Sequence, residues 1–298
     1  MPEMKFKQGL SIILPARDEA QAIGGILAVI AELIPEAEVI VVDDGSHDGT
    51  AGIAAQGGAK VISHPYPKGN GAAVKAGARM ASGDTLVFMD ADGQHRPEDI
   101  PRLLARLEEG YDMAVGARGM ESHAGAHRGF ANAVFNRLAS WMVNQRVEDL
   151  TSGFRAVRAP LFRRFLYLLP NSFSYPTTIT MSFFRAGLSV VYVPVSMPPR
   201  IGKSHIRPLH DGIRFLLIII KIGTLYSPLK LFLPVSAAFF ATGLGYYFYT
   251  YFTVHRFTNM SALLFIAAIL TFLIGIVSEQ ISSLMYKDTE LTNADPPE

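Results

Sequence analysis

The sequence contains no cysteine and a single tryptophan, Trp141, in 298 residues. Without thiols there is no disulfide framework, no thiolate metal site and no cysteine nucleophile. Charge is scarce too: Asp, Glu, Lys and Arg make up 18% of the chain, below the ~25% usual in soluble domains. With 27 Lys plus Arg against 26 Asp plus Glu the net charge is +1, which removes the electrostatic case for a nucleic-acid partner. Hydrophobic residues, by contrast, reach 49%, and they are not spread evenly.

Two stretches, Leu231 to Phe252 and Met260 to Val277, carry no charged side chain, and the second extends on to Met285 with Glu279 as its one charge. An apolar helix of about 20 residues crosses a ~30 Å hydrocarbon layer. Two membrane spans are therefore expected, in preference to two core helices of a soluble domain. The link Thr253 to Asn259 is short enough to make them an antiparallel hairpin. Arg200, Lys203, Arg207, Arg214, Lys221 and Lys230 precede the first span, against Arg256 alone in the link, so the large N-terminal part is expected in the cytoplasm. Tyr246, Tyr247, Tyr249 and Tyr251 crowd the outer end of the first span, as an aromatic belt does. Glu279 reads either as a functional intramembrane carboxylate or as a hydrated interfacial one. Asp211 to Ser227, apolar but interrupted by Arg214 and Lys221, reads as a helix lying in the membrane interface or packed on the soluble domain. The polar opening Met1 to Gly9 predicts no cleavable leader.

The expected organisation is thus a cytoplasmic catalytic domain over 1–207, an interfacial helix over 208–228, a transmembrane hairpin over 229–286 and a polar tail over 287–298. Within the first part, short β-rich runs at 10–14, 38–43, 60–63, 85–90 and 113–117 alternate with helical patterns at 19–33, 71–81 and 97–109. Apolar strands separated by crossover helices predict an α/β fold with a mostly parallel sheet covered on both faces. Such sheets bind ligands beyond the C-terminal ends of their strands. Pro15, Asp43, Asp44, Asp90, Asp92 and Arg118 all fall there.

The sharpest motif is Asp90-Ala91-Asp92-Gly93-Gln94-His95, directly after a hydrophobic run. Carboxylates at i and i+2 leaving a strand can turn toward one hard divalent cation, and Gln94 adds a third oxygen, a donor set suited to Mg²⁺ or Mn²⁺. Acidic pairs at strand ends also serve as turn or cap residues. An EF-hand needs glycine where His95 stands, which argues against a calcium loop. A haloacid-dehalogenase-type phosphatase expects Thr or Val at Gln94. In Asp43-Asp44-Gly45-Ser46-His47-Asp48, the carboxylates can accept from ribose hydroxyls or a base N–H, while Ser46 or Asp48 caps the helix that follows. Lys68-Gly69-Asn70-Gly71 feeds a helix N-terminus, an arrangement favourable to phosphate, although Val74 and the preceding His-Pro-Tyr-Pro depart from a dinucleotide fingerprint.

Taken together, these motifs resemble the family 2 glycosyltransferases of GT-A (Rossmann-like) fold, and within them the polyprenyl-phosphate glycosyltransferases similar to dolichol-phosphate mannose synthase. The resemblance runs from residue 10 to about 207 through Leu14-Pro15 to Glu19, VVDDGSHDGT, KGNGAAVKAG, FMDADGQHRPEDIP, VGAR at 115–118, DLTSGFR at 149–155 and Gly202-Lys203-Ser204. Asp18 stands where the family usually has Asn, and His205 where Lys is frequent. The Gln-x-x-Arg-Trp motif of processive polysaccharide synthases is missing, which favours transfer of one sugar.

The resemblance implies a nucleotide-diphosphate sugar as donor, with Pro15, Glu19, Asp43, Asp44, Lys68, Asp90, Ala91 and Asp92 around it and a divalent cation on Asp90, Asp92 and Gln94. It implies a polyprenyl monophosphate as acceptor, undecaprenyl or dolichyl, clamped by Arg118, Arg128, Asn132, Lys203 and Ser204. Asp149, Asp92 and Arg118 become the candidate catalytic residues of an inverting transfer. A same-fold enzyme acting on another lipid or glycan, or a non-catalytic membrane partner that keeps the nucleotide pocket, are the alternatives. Sugar, base, chain length of the lipid and oligomeric state are not readable from the motifs.

Overall fold

The computed structural model of the chain describes residues 9–118, 126–172, 174–196 and 223–290, with the backbone alone at 118, 126–134 and 286–290. Two compact units emerge, Met1–Ser140 with Gln145–Ser204, and Trp141–Asn144 with His205–Glu298.

The first unit is built on a sheet of seven strands: β1 (Leu10–Ala16), β2 (Glu38–Asp43), β3 (Lys60–Ser63), β4 (Thr85–Phe88), β5 (Met113–Arg118), β6 (Arg155–Arg158) and β7 (Val190–Val195). Their spatial order is β3-β2-β1-β4-β6-β5-β7. Every neighbouring pair is parallel except the two made by β6. The inner strands are continuous apolar runs because both faces are covered: Ile12, Ile13, Leu14, Ile40, Val41, Leu86, Val87 and Phe88 are all fully buried. Helices α1 (Ala20–Leu33), α2 (Thr50–Gln56), α3 (Asn70–Met80), α4 (Ile100–Glu108), α5 (Ala126–Val143), α6 (Ala159–Arg164) and α7 (Tyr175–Arg185) make the crossovers and flanks. α1 turns Ile23, Ile26, Leu27 and Ile30 inward at i, i+3, i+4 and i+7 spacing.

Five strands coincide with the sequence-based expectation to within two residues. The run expected over 85–90 leaves the regular ladder after Phe88, although the Met89 N–H still donates to Ile13 O at 3.1 Å. β6 and β7 were not foreseen. β6 reads Arg-Ala-Val-Arg, too short and too charged for a strand signal, yet it lies between β4 and β5 with Arg155 opposite both Phe88 and Val115. β7 carries Pro194, which an edge strand tolerates. Before α4, Pro97–Asp99 is a short 3₁₀ turn, so the helix expected from residue 97 begins regularly only at Ile100.

In the second unit, α8 (Pro228–Val254) and α9 (Asn259–Glu290) are each long and apolar enough to cross a membrane over 27 residues, with mean hydropathy 1.4 and 2.7. The turn between them, 255–258, is shorter than the expected link because both helices run further than the uncharged stretches. His255 closes α8 in the left-handed region at φ 52°. The Ser236 hydroxyl donates to Ala268 O across the pair at 2.8 Å. Glu279 accepts from the Leu229 N–H at 3.2 Å, satisfying one of the donors left over at the start of α8. Lys230 Nζ reaches Trp141 O, Met142 O and Asn144 Oδ1 at 2.9–3.1 Å. Of the expected interfacial helix, 208–222 lies outside the described residues.

Candidate active site

The segments that follow β1, β2, β3 and β4 fold around a cleft of about 390 Å³ lined by Pro15, Ala16, Arg17, Glu19, Asp44, Gly69, Asn70, Ala73, Asp90, Ala91 and Asp92. Pro15, Glu19, Asp44, Asp90, Ala91 and Asp92 were expected there from sequence. Asp43, Lys68 and Gln94 were also expected, and they are not among the lining residues. Asp43 is buried and accepts from the Ser46 N–H at 3.1 Å. Lys68 contributes its backbone N–H to Asp44. Gln94 follows in the same turn as Asp92, whose Oδ1 accepts the Gln94 N–H at 3.1 Å.

The first loop is tied to the second. Asp18, where the family usually has Asn, takes φ 54°, a left-handed conformation that these two residue types tolerate. Its N–H donates to Ser46 Oγ and its Oδ1 accepts from the His47 N–H, both at 2.9 Å. Asp48 serves two helix starts, accepting from Ala20 N at 2.9 Å for α1 and from Thr50 N at 3.1 Å for α2. These bonds leave Glu19 at the rim, its own N–H on Thr50 Oγ1 at 3.0 Å.

Asp44 is more a fastener than the sequence suggested. Its carboxylate accepts the Lys68 and Gly69 N–H groups, each at 2.8 Å, and pairs with His64 Nδ1 at 2.7 Å. Burial alone would raise its pKa, but the bonds from His64, Lys68 and Gly69 prevail and hold it below the ordinary carboxylate value. The start of α3 likewise differs from an open phosphate cradle. The Ala72 N–H already donates to Asn171 O at 2.9 Å. A methyl at Gly71 would stand 2.0 Å from Pro170 O, so this glycine is required by the close approach of a distant loop.

Asp90 and Asp92 face the cleft together. Burial pushes the Asp90 carboxyl above its ordinary range; His95 and Arg155 oppose this and Asp92 adds to it. A bound cation would oppose that rise and favour the ionised carboxylate. Two carboxylates, with the remaining positions left to phosphate and water, fit the demands of Mg²⁺ or Mn²⁺; among the described residues no group of three His, Asp or Glu gathers as an all-protein cage. The Asp90 and Asp92 carboxylates therefore fit a hard divalent cation.

Sequence reasoning missed what holds this pair. The Asp90 N–H donates to His95 Nδ1 at 3.0 Å, which places the imidazole proton on Nε2 in the neutral ring. The His95 ring stacks on Phe154, centroids 5.2 Å apart. The segment 149–155 thus packs against the 90–95 turn. Within it, Asp149 Oδ1 accepts from Thr151 N at 2.8 Å, Thr151 Oγ1 at 2.9 Å and Ser152 N at 3.1 Å. Asn136 of α5 brackets the same aspartate, donating to Glu148 O at 2.5 Å and accepting from Leu150 N at 3.4 Å. Of the acceptor-side candidates, Arg118 ends β5, and Arg128 and Asn132 lie four apart in α5. Lys203 and Ser204 lie outside the described residues.

Residues 11–167 match the family described as Glycosyl transferase family 2, and residues 227–284 match the GtrB C-terminal hairpin. A dolichyl-phosphate hexose transferase of Haloferax volcanii is 31% identical over 215 residues, covering 71% of this chain and 92% of that protein. An undecaprenyl-phosphate mannosyltransferase of Micrococcus luteus is 32% identical over 210 residues, with coverage of 64% and 85%. Among solved structures, glucosyl-3-phosphoglycerate synthase from Mycobacterium tuberculosis in complex with Mn²⁺ and uridine-diphosphate-glucose superposes with a TM-score of 0.58 over 72% of this chain and 78% of its own, at 24% identity. That likeness establishes a shared fold.

Proposed function

The chain is a member of glycosyl transferase family 2, and from that premise we propose that it transfers one sugar from a nucleotide-diphosphate sugar to a polyprenyl monophosphate, undecaprenyl or dolichyl, at a membrane. That it is a glycosyltransferase follows from the family itself. The carrying observation is the convergence of Pro15, Glu19, Asp44, Asp90, Ala91 and Asp92 on one cleft at the C-terminal edge of the sheet. The acceptor class is supported by relatives named for dolichyl-phosphate and undecaprenyl-phosphate transfer and by the matching hairpin.

In this reading Pro15, Glu19, Asp43, Asp44 and Lys68 serve the nucleoside side, and Asp90 and Asp92, with Gln94, hold a divalent cation. When bound, such an ion neutralises the charge that grows on the departing nucleoside diphosphate, a stabilisation that rises in the transition state. Arg118, Arg128, Asn132, Lys203 and Ser204 receive the acceptor phosphate, for which guanidinium forks are well shaped. A phosphate monoester with a second pKa near ~6 is already largely dianionic at neutral pH. Its oxygen attacks the anomeric carbon in line as the bond to the diphosphate breaks, so the configuration inverts and no base need remove a proton first. Asp149, held by Thr151 and Ser152, orients the acceptor. The cations preceding α8 support a cytoplasmic catalytic unit.

The test is product identity. The full chain in lipid vesicles, given labelled nucleotide sugars one at a time with undecaprenyl or dolichyl phosphate, should yield a solvent-extractable, acid-labile labelled lipid of inverted anomeric configuration. Label carried by another lipid or by a glycan, with none on polyprenyl phosphate, would overturn the acceptor assignment.

A further inference from the structure

Arg155 is among the largest side chains that are fully buried, and among the described residues it bonds no carboxylate directly. Nη1 donates to Pro176 O and to Thr180 Oγ1, each at 3.2 Å, and Nη2 donates to Ser152 O. Its guanidinium carbon lies 5.7 Å from the centre of the Tyr175 ring, a cation–π distance. Nε has no hydrogen-bond partner among the described residues. Burying a guanidinium against neutral acceptors is costly, and a core strand would be served better by an apolar residue. The position must therefore require what this side chain does.

What it does is visible in the residues beside it. The Tyr175 hydroxyl donates to Gly153 O at 3.2 Å, while Arg155 holds Ser152 O. Both peptide groups flanking the Gly153 Cα are thus fixed. That Cα is pressed on the Asp90 carboxylate: a Cβ there would stand 2.8 Å from Oδ2 and 3.1 Å from Oδ1. From the other side His95 holds the Asp90 N–H and stacks on Phe154. β6 runs antiparallel with Arg155 opposite Phe88, two residues before Asp90, and Asp149 and Asp90 are the carboxylates that feel its charge.

We infer that Arg155 is a positioning residue that, together with Tyr175, sets the Ser152–Gly153 peptide as a wall fixing the Asp90 carboxylate in its cation-holding orientation. The inference rests on the reading of Asp90 and Asp92 as the cation pair. It predicts a defect that shows first in metal affinity, since Arg155 is fully buried and is not among the residues lining the cleft.

The experiment is a Mn²⁺ titration of the purified full chain, with and without UDP or GDP, followed by loss of the hexaaqua Mn²⁺ paramagnetic resonance signal, alongside turnover as a function of Mn²⁺. Arg155→Lys keeps the charge and loses the fork; Gly153→Ala leaves Arg155 intact and intrudes on Asp90. Both should raise the half-saturating Mn²⁺ concentration about tenfold or more, with much of the turnover recovered at saturating metal. Should Arg155→Lys fail to fold, Tyr175→Phe, which removes only the hydroxyl bond to Gly153, reads the same wall and should raise that concentration about threefold. Folded variants with unchanged Mn²⁺ half-saturation would overturn the inference while leaving the metal reading intact. A wild-type chain that binds no Mn²⁺ and turns over equally well in EDTA would overturn the metal reading, and this inference with it.

Discussion

The carboxylate of Asp44 meets the imidazole of His64 at 2.7 Å, with both side chains more than nine-tenths buried. Since the same carboxylate also accepts the Lys68 and Gly69 N–H groups, it shapes the loop that brings Gly69 and Asn70 into the cleft. Asp44→Asn is expected to raise the donor KM about tenfold with a smaller change in kcat, and to cost about 1–3 kcal/mol of stability. The pKa of Asp44 is depressed from 3.8. Its contribution is therefore complete above that value and is lost as pH falls through the folded-state pKa. Acid unfolding of the Asn variant should show a shallower pH dependence in that window.

Glu38 offers a control at the opposite end of the sheet. It accepts from Ser11 Oγ, from Ser82 N at 2.7 Å and from Lys60 Nζ at 2.6 Å. Burial alone would raise its pKa, yet these bonds lower it from 4.5 to about 2. The stability it supplies is present in full above pH 4.5 and disappears between there and about 2. Glu38→Gln should move the acid-unfolding midpoint upward and leave donor and acceptor KM unchanged at neutral pH. A changed donor KM would contradict the independence of the cleft from this end of the sheet, since Glu38 is not among the residues lining it.

Asn136 grips the backbone on both sides of Asp149. Asn136→Ala should lower kcat about 10- to 100-fold through misplacement of that carboxylate, with acceptor KM affected more than donor KM. Kinetics with varied acceptor at saturating donor checks it. Loss of donor binding instead would place Asp149 on the wrong substrate.

Local chemistry was legible where one element carried it. Apolar runs and crossover helices disclosed β1 to β5, and Pro15, Asp90 and Asp92 stood out because each lies at or just after the end of such a run, whereas Glu19 came only from the family resemblance. What could not be read was contact between distant segments. Gly71 seemed a phosphate-loop glycine, whereas Pro170 O, a hundred residues on, is what excludes a side chain there. Arg155 looked like the end of a motif, and only the antiparallel insertion of β6 sets it opposite Phe88, two residues before Asp90. Asp44 was read as a donor-side residue, and sequence cannot show that it also holds His64, Lys68 and Gly69. The hairpin was recognisable from hydropathy alone, but not the bond from the Leu229 N–H to Glu279, which joins the two helices.

The central claim, that the carboxylates of Asp90 and Asp92 hold a donor diphosphate through a divalent cation, is tested most directly by sugar transfer to polyprenyl phosphate in the wild type and in Asp92→Asn, measured after chelation and across added Mn²⁺. The account predicts that EDTA abolishes wild-type transfer, that Mn²⁺ restores it, and that the folded Asn variant stays at least about 100-fold slower at every metal concentration. Wild-type transfer that persists in EDTA, or an Asp92→Asn chain that matches the wild type, would contradict it.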